Sequence, residues 1–386
     1  MSTIEYRPGL EKVPAVQSSI SFVDGGSGIL EYRGIPVEVL AEESSFLEVA
    51  YLLIFDRFPR ADELARWEAD ILYHRRIKWH LRDMVKLLPS TGHPMDAIQA
   101  LIAATGMFYP IKDIAQYSQE RFVYEAAIRL LGKLPTLVAT FARMRVGYDP
   151  VPPRDDLDHA TNFLWMLLEE DPQPEVAKAF DVSLILHAEH TINASTFAGL
   201  VTASTLADPY TVVSAAIGAL SGPLHGGANE RVLGMLKEIG TLENVEPYLV
   251  GKLERKEKIW GLGHRVYKVK DPRARVLQNL LEGAFEAGGG KDLHYAIAQE
   301  LERIEGTSLG QDKGVWPNVD FYSGILYHKM GIPTDLFTPL FAIARTAGWL
   351  AHWYEQMRAN VLFRPTQVYT GRHGQPYVPM GERKHV

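Results

Sequence analysis

The chain has 386 residues, 46% of them apolar and 23% charged, with a net charge of −7. This is an ordinary globular balance, enough for two domains or one large one, and it lacks the basic excess of a nucleic-acid binder. With no cysteine, disulfides, thiolate nucleophiles and Cys-ligated zinc are excluded.

Along the chain, residues 1–20 carry Glu5, Arg7, Glu11 and Lys12 and lack the apolar core of a secretory signal. No apolar run approaches the roughly 18 residues of a membrane span, so a cytoplasmic protein without a membrane partner is expected. Ile20-Ser21-Phe22 and Ile29 to Tyr32 flank Asp24-Gly25-Gly26-Ser27-Gly28, the pattern of a small hairpin. This is the only clear strand signal, and helix signals dominate after it. Ser45 to Glu48 fits a capping box, with Phe46, Val49, Ala50 and Leu53 on one face. Pro59 and Pro94 stand where new helices should begin. Helices are expected over 61–76, 95–107, 119–145 with an interruption at Pro135, 155–169, 174–190, 195–207 and 210–221. Others are expected over 227–239, 272–286, 293–304, 319–330 and 338–357. Breaks at Asp208-Pro209, Ser221-Gly222-Pro223, Gly288-Gly289-Gly290 and Gly331-Ile332-Pro333 separate several of them. Without alternating βα units a doubly wound sheet is disfavoured, and the fold class is all-α with one small hairpin. The Ala-, Gly- and Ser-rich segment 194–222 permits close helix packing, within the core or across a subunit interface.

Residues with catalytic potential gather in the second half, in HAEHTINAST (187–196), GPLHGGANE (222–230), GLGHRVYKVKDPRA (261–274) and PNVDFYSG (317–324). Each run sets a titratable side chain beside glycine or at the edge of an expected helix. Glycine lets backbone approach a ligand closely, and helix N-termini offer free N–H groups to anions. One such element is weak evidence; three with histidine and one with aspartate are not. His187 and His190 are spaced to share a metal, but HExxH order and a third ligand are missing, so no metal is expected. Gly261-Leu262-Gly263 lacks the third glycine and preceding strand of a dinucleotide fingerprint. Gly290-Lys291 fails as a phosphate loop, because Asp292 replaces Ser/Thr and Phe285 stands where the first glycine belongs. No GxSxG elbow is present.

These four runs, in this order, resemble the citrate synthase family. So do DGGSGILEYRGIPVEVLAEESSF (24–46), FTPLFAIARTAGW (337–349) and FRP (363–365). The likeness covers almost the whole chain and is strongest to the shorter bacterial-type enzymes. It implies a mainly helical homodimer, with hexamers occurring in the wider family. The large domain would comprise 1–222 and 329–386, and a small domain, 223–328, would close over the active site. The implied reaction condenses acetyl-CoA with oxaloacetate to citrate and CoA, the entry step of the tricarboxylic acid cycle, with no cofactor beyond these substrates.

By the same resemblance, Asp320 is the base, His225 binds the thioester oxygen and His264 donates to the oxaloacetate carbonyl. His190, Arg273, Arg345 and Arg364 bind oxaloacetate, with Arg364 reaching the partner subunit's site. Ile259, Trp260, Gly261, Leu262 and Gly263 form a CoA-contacting loop, with Lys268 near the phosphates. His187 and Asn193 shape the site, while His74, His80, His93, His159 and His352 are expected to be structural. The alternatives are a 2-methylcitrate synthase using propionyl-CoA, and a catalytically silent helical scaffold.

Overall fold

The computed structural model describes residues 6–111, 113–287, 292–313 and 315–383. Near the N-terminus three short strands, β1 (Ser21–Asp24), β2 (Ile29–Tyr32) and β3 (Ile35–Pro36), form an antiparallel sheet in the order β1-β2-β3. Ser21 pairs with Tyr32 and Tyr32 with Ile35. The expected hairpin is present, and the two-residue third strand is an addition too short to carry a period-2 signal.

The remainder is helical: α1 (Val37–Glu43), α2 (Phe46–Phe55), α3 (Ala61–His74), α4 (Trp79–Leu87), α5 (Pro94–Gly106), α6 (Glu120–Met144), α7 (His159–Leu168) and α8 (Pro174–His187). Then follow α9 (Ala194–Ser204), α10 (Pro209–Leu220), α11 (Ala228–Ile239), α12 (Val245–Glu254), α13 (Pro272–Ala287), α14 (Leu293–Lys313), α15 (Val319–Lys329) and α16 (Phe337–Arg358). Caps set many of the starts. The Ser45 hydroxyl accepts from the Glu48 amide, Asp158 from Thr161 and Asn193 from Thr196. The Glu48 carboxylate does not close the expected box; it takes the Ser44 hydroxyl instead, at 2.5 Å.

Several boundaries differ from expectation. α6 runs unbroken through Pro135, although an interior proline costs about 3 kcal/mol through its missing N–H and ring clash. α6 is buried continuously from Leu130 to Arg143 and packs against α3, α4, α5, α7 and α16, and that burial outweighs the local defect. α8 stops at His187, not 190, because Thr191 adopts a left-handed φ of +51°. α7 starts at His159, where Asp158 caps it, and 155–157 stay outside. α14 continues to Lys313, beyond the expected 304. α1, α4 and α12 carried no strong pattern; α4 buries only Leu81 and Val85, and α12 only Val245 and Leu249. The Gly288-Gly289-Gly290 break and Lys291 lie outside the described residues.

α16 is the spine of the core. Nineteen of its residues are buried, including Trp349 and Trp353, and it packs against α2, α6, α8, α9 and α10. The small-residue segment 194–222 forms the α9–α10 pair, where a Cβ on Gly199 would lie 3.6 Å from Ala216. The hairpin is tied to this spine at its root, as the backbone N–H of Ser19 donates to Glu355 of α16 at 2.9 Å. At its tip, the Gly25 carbonyl accepts the Lys268 amide at 2.8 Å. A Cβ on Gly25 would sit 2.1 Å from the Val266 carbonyl oxygen, so only glycine permits this approach.

Candidate active site

His190 lies in the loop between α8 and α9, His225 in the turn before α11, and His264 in the irregular segment between α12 and α13. Asp320 is the second residue of α15, Arg273 the second of α13, and Arg345 lies in the middle of α16.

The His264 ring is fixed by its own backbone. Nδ1 accepts from the amides of Val266 (3.0 Å) and Tyr267 (3.3 Å), so the proton of the neutral ring belongs on Nε2. Burial, then Arg273, pushes its pKa down to about 4. His190 stands beside it, ring centroids 5.2 Å apart, with Nε2 3.1 Å from the Tyr267 hydroxyl. Burial, reinforced by Arg273, His264 and Arg345, drives its pKa well below the ordinary value.

His225 Nε2 lies 2.9 Å from Ser195 Oγ and 3.2 Å from Asn193 Oδ1. The Asn193 amide nitrogen is committed to the carbonyls of His190 and Thr191, so its oxygen faces the ring. The Trp349 indole N–H donates to Ser195 Oγ at 3.3 Å. Burial, with Arg345 adding to it, lowers the His225 pKa to about 4. Both His225 and His264 are therefore neutral near pH 7.

Asn318 caps α15, accepting from the Asp320 amide at 3.0 Å. It is itself held by Gly261 and Gly263, its amide donating to the Gly261 carbonyl and its side chain to that of Gly263, each at 2.9 Å. Asp320 Oδ1 is buried without a hydrogen-bond partner. Burial pushes its carboxyl up to about 7; Arg273 pulls it down and Asp271 raises it further.

The two buried arginines differ. Arg273 grips Asp271 with Nη2 at 2.7 Å and Nε at 3.0 Å, and although burial opposes its charge, Asp271 raises its pKa overall. Arg345 donates Nε–H to the His187 carbonyl at 2.7 Å and leaves Nη2 buried and unpartnered. Burial lowers its pKa to about 10, with Glu189 the leading support for its charge. An unpartnered guanidinium edge in a sealed site invites a carboxylate.

Gly261 and Gly263 have φ of +77° and +82°, and a Cβ on Gly261 would meet Phe321 and Val232 at 2.8 Å. Ile259 and Leu262 are buried. Trp260 is half-buried, with Lys258 Nζ 4.3 Å and Arg231 Cζ 4.8 Å from its ring. Lys268 is exposed, and its backbone N–H is held at the hairpin tip by the Gly25 carbonyl at 2.8 Å; no hydrogen bond ties it to the 259–263 segment among the described residues. Arg364 is not brought to the site by its own chain: it lies in the exposed segment after α16, its Nη1 donating to the Pro365 carbonyl at 2.9 Å.

His187 and His190 do not share a ligand space, since His187 Nδ1 meets the Ser183 carbonyl at 2.7 Å while His190 faces Tyr267. Ser195, Trp349, Asp271, Tyr267 and Asn318 were not singled out from sequence, although all five stand inside the quoted runs. Lys258 and Arg231 had no signal beyond their charge.

The family model described as "Citrate synthase, C-terminal domain" matches residues 9–366. The chain is 58% identical to the citrate synthase of Synechocystis sp., over 98% of this chain and 94% of that protein. It is 50% identical to the citrate synthase of Acidithiobacillus ferridurans, over 99% and 100% of the two chains. Among solved structures, Thermotoga maritima citrate synthase superposes with a TM-score of 0.89 at 38% identity, covering 99% of this chain and 100% of that one. Thermoplasma acidophilum citrate synthase, in ternary complex with carboxymethyl coenzyme A and oxaloacetate, superposes at 0.92 with 31% identity, covering 98% and 100%. Fold and likeness together define a helical acyltransferase. The chain belongs to the citrate synthase family.

Proposed function

We propose that this protein condenses acetyl-CoA with oxaloacetate and water to give citrate and CoA. The observation that carries the mechanism is the convergence of a proton-holding carboxyl, two neutral imidazoles and two buried guanidiniums from four separate runs.

The acetyl methyl is a weak carbon acid, so its proton must leave as charge is stabilised on the thioester oxygen. The Asp320 carboxylate takes the proton. His225 donates to the oxygen that becomes the enolate. The Ser195 hydroxyl, which donates to Asn193 Oδ1 at 2.8 Å, lies close enough to turn to Nε2 at 2.9 Å, and in that arrangement the ring proton would rest on Nδ1, free for the substrate. The enolate carbon attacks the ketone carbon of oxaloacetate, whose oxygen receives the hydrogen bond from His264 Nε2. That oxygen ends as the citryl hydroxyl, and water then cleaves the thioester to release citrate and the CoA thiol. Arg273, Arg345 and His190 hold the oxaloacetate carboxylates, and the 259–263 segment with Lys268 receives CoA. Trp260 offers a stacking face there.

The 223–328 segment supplies His225, His264, Arg273 and Asp320, while His190 and Arg345 come from outside it. A small domain that closes on a large one would thus complete the site and control water access. The exposed position of Arg364 suits a homodimer in which it serves the partner's site. Among the described residues no helix is long and apolar enough to cross a membrane, which suits a cytoplasmic enzyme. Release of CoA thiol that requires both substrates tests the reading; no release from folded protein defeats it.

The pH profile follows from Asp320. The base works only when ionised, and burial has pushed it up to about 7. Turnover at low substrate should therefore rise with pH through about 7, while His225 and His264, at about 4, stay neutral throughout. A rate already flat from pH 5 upward would remove Asp320 as the ionisation that limits catalysis.

Acyl selectivity is a matter of fit. One methylene is worth only about 1–3 kcal/mol, or roughly 10–200-fold. kcat/KM for acetyl-CoA should exceed that for propionyl-CoA by at least about tenfold at saturating oxaloacetate. The reverse preference would move the chain to the 2-methylcitrate reaction.

A further inference from the structure

Glu189 is fully buried, precedes His190 in sequence and is not used by the mechanism above. Its Oε1 accepts from His352 Nε2 and from the Ser21 hydroxyl, each at 3.0 Å, and its Oε2 is buried without a partner. Ser21 Oγ also accepts the Thr191 amide at 3.1 Å. Thr191 is β-branched and left-handed, a conformation such residues avoid unless the surroundings impose it. From β2, the Tyr32 hydroxyl grips the same turn, 2.9 Å from the Glu189 carbonyl oxygen and 3.2 Å from its amide. On the other side a Cβ at Gly348 would lie 2.3 Å from Glu189 Oε2 and 2.5 Å from the Ala188 carbonyl oxygen, so glycine there lets the turn lie on α16.

Burying a carboxylate is costly unless something needs it. Although burial opposes ionisation, His352, Arg345 and Ser21 hold Glu189 below the usual carboxylate range. Its beneficiary is visible across the site. Among the described residues no carboxylate lies within ion-pair distance of Arg345, whereas Arg273 has Asp271 directly. Glu189, packed against α16 one turn beyond Arg345, is the leading charge that offsets the burial of that guanidinium.

We propose that Glu189, anchored by His352 and Ser21, is a positioning residue that imposes the left-handed turn carrying His190 and supplies the through-space counter-charge of Arg345, thereby preparing the oxaloacetate side of the site alone. This rests on the reaction proposed above. Through Ser21 the anchoring reaches the Thr191 amide next to His190, and through space the charge reaches Arg345, while none of the hydrogen bonds of Glu189 runs to the 259–263 segment, so the effect should fall on oxaloacetate.

Glu189→Gln keeps the shape and removes the charge. Its KM for oxaloacetate should rise by about tenfold or more while that for acetyl-CoA stays within about twofold. Ser21→Ala, at a half-buried position, should raise the oxaloacetate KM by about three- to tenfold, and Ser21→Thr should restore it. If Glu189→Gln does not fold, the Ser21 pair decides. An unchanged oxaloacetate KM, or an equal rise in both KM values, overturns the proposal.

Oxaloacetate-induced elevation of the unfolding temperature, measured without acetyl-CoA, gives the same comparison by binding alone. A wild-type protein that binds oxaloacetate but releases no thiol sinks the reaction, and the variants' weaker elevation still supports the role of Glu189. A wild-type protein with no elevation sinks both.

Discussion

Asp320→Asn should lower turnover by roughly 10²–10⁴, the usual contribution of a positioned base, and leave oxaloacetate binding intact. The amide keeps the shape of the carboxyl and its place under the Asn318 cap, but has no lone pair basic enough to take a methyl proton. The stability change has a definite sign. Burial raises the folded carboxyl from an ordinary 3.8 to about 7, so the folded state binds this proton more tightly than the unfolded chain. Its contribution to stability is present at low pH and falls away as pH rises from about 4 through about 7. The asparagine variant has no charge to bury, so above pH 7 it should be at least as stable as the parent. Near-parental turnover would take Asp320 out of the base role. Lost activity accompanied by a lower unfolding temperature at pH 8 would reassign it to the fold.

Arg364→Ala should be nearly inactive, although its side chain touches none of the residues around Asp320 in its own chain. The sharper result comes from mixing. After subunit exchange between Arg364→Ala and Asp320→Asn homodimers, each heterodimer holds one site with both residues intact, so an equal mixture should recover about a quarter of parental activity. Verified heterodimers that remain silent would end the shared-site model.

The chemistry was legible in sequence because it is locally concentrated. His190, His225 and Asp320 sit close to a helix end and His264 in an irregular segment, each within a short run of glycine, asparagine or proline, and the structure brings all four runs into a chain of direct hydrogen-bonded or ring contacts. The all-α class was legible because long amphipathic stretches outnumber one short hairpin. What escaped was settled at a distance. The continuity of α6 through Pro135 depends on burial by five other helices, α3, α4, α5, α7 and α16, which no local pattern records. α4 and α12 bury two residues each, too few to establish a period. His352 looked like an isolated core histidine because its partner, Glu189, lies 163 positions away. The early stop of α8 depends on Tyr32, which grips the Glu189 backbone, and on Ser21, which holds the Thr191 amide in a conformation the Thr191 side chain opposes.

The hairpin has a consequence for how the molecule is made. Its root is tied to Glu355, 336 positions later in the chain, and its tip to Lys268. A ribosome therefore releases the hairpin long before either anchor exists, and the turn bearing His190 waits equally for α16. The site cannot be assembled in order of synthesis. It closes only after most of the chain has emerged, through contacts of very high sequence separation, the kind that slow folding most. Three strands of two to four residues with a glycine-rich tip suit that delay, since so short an edge offers other chains little to pair with.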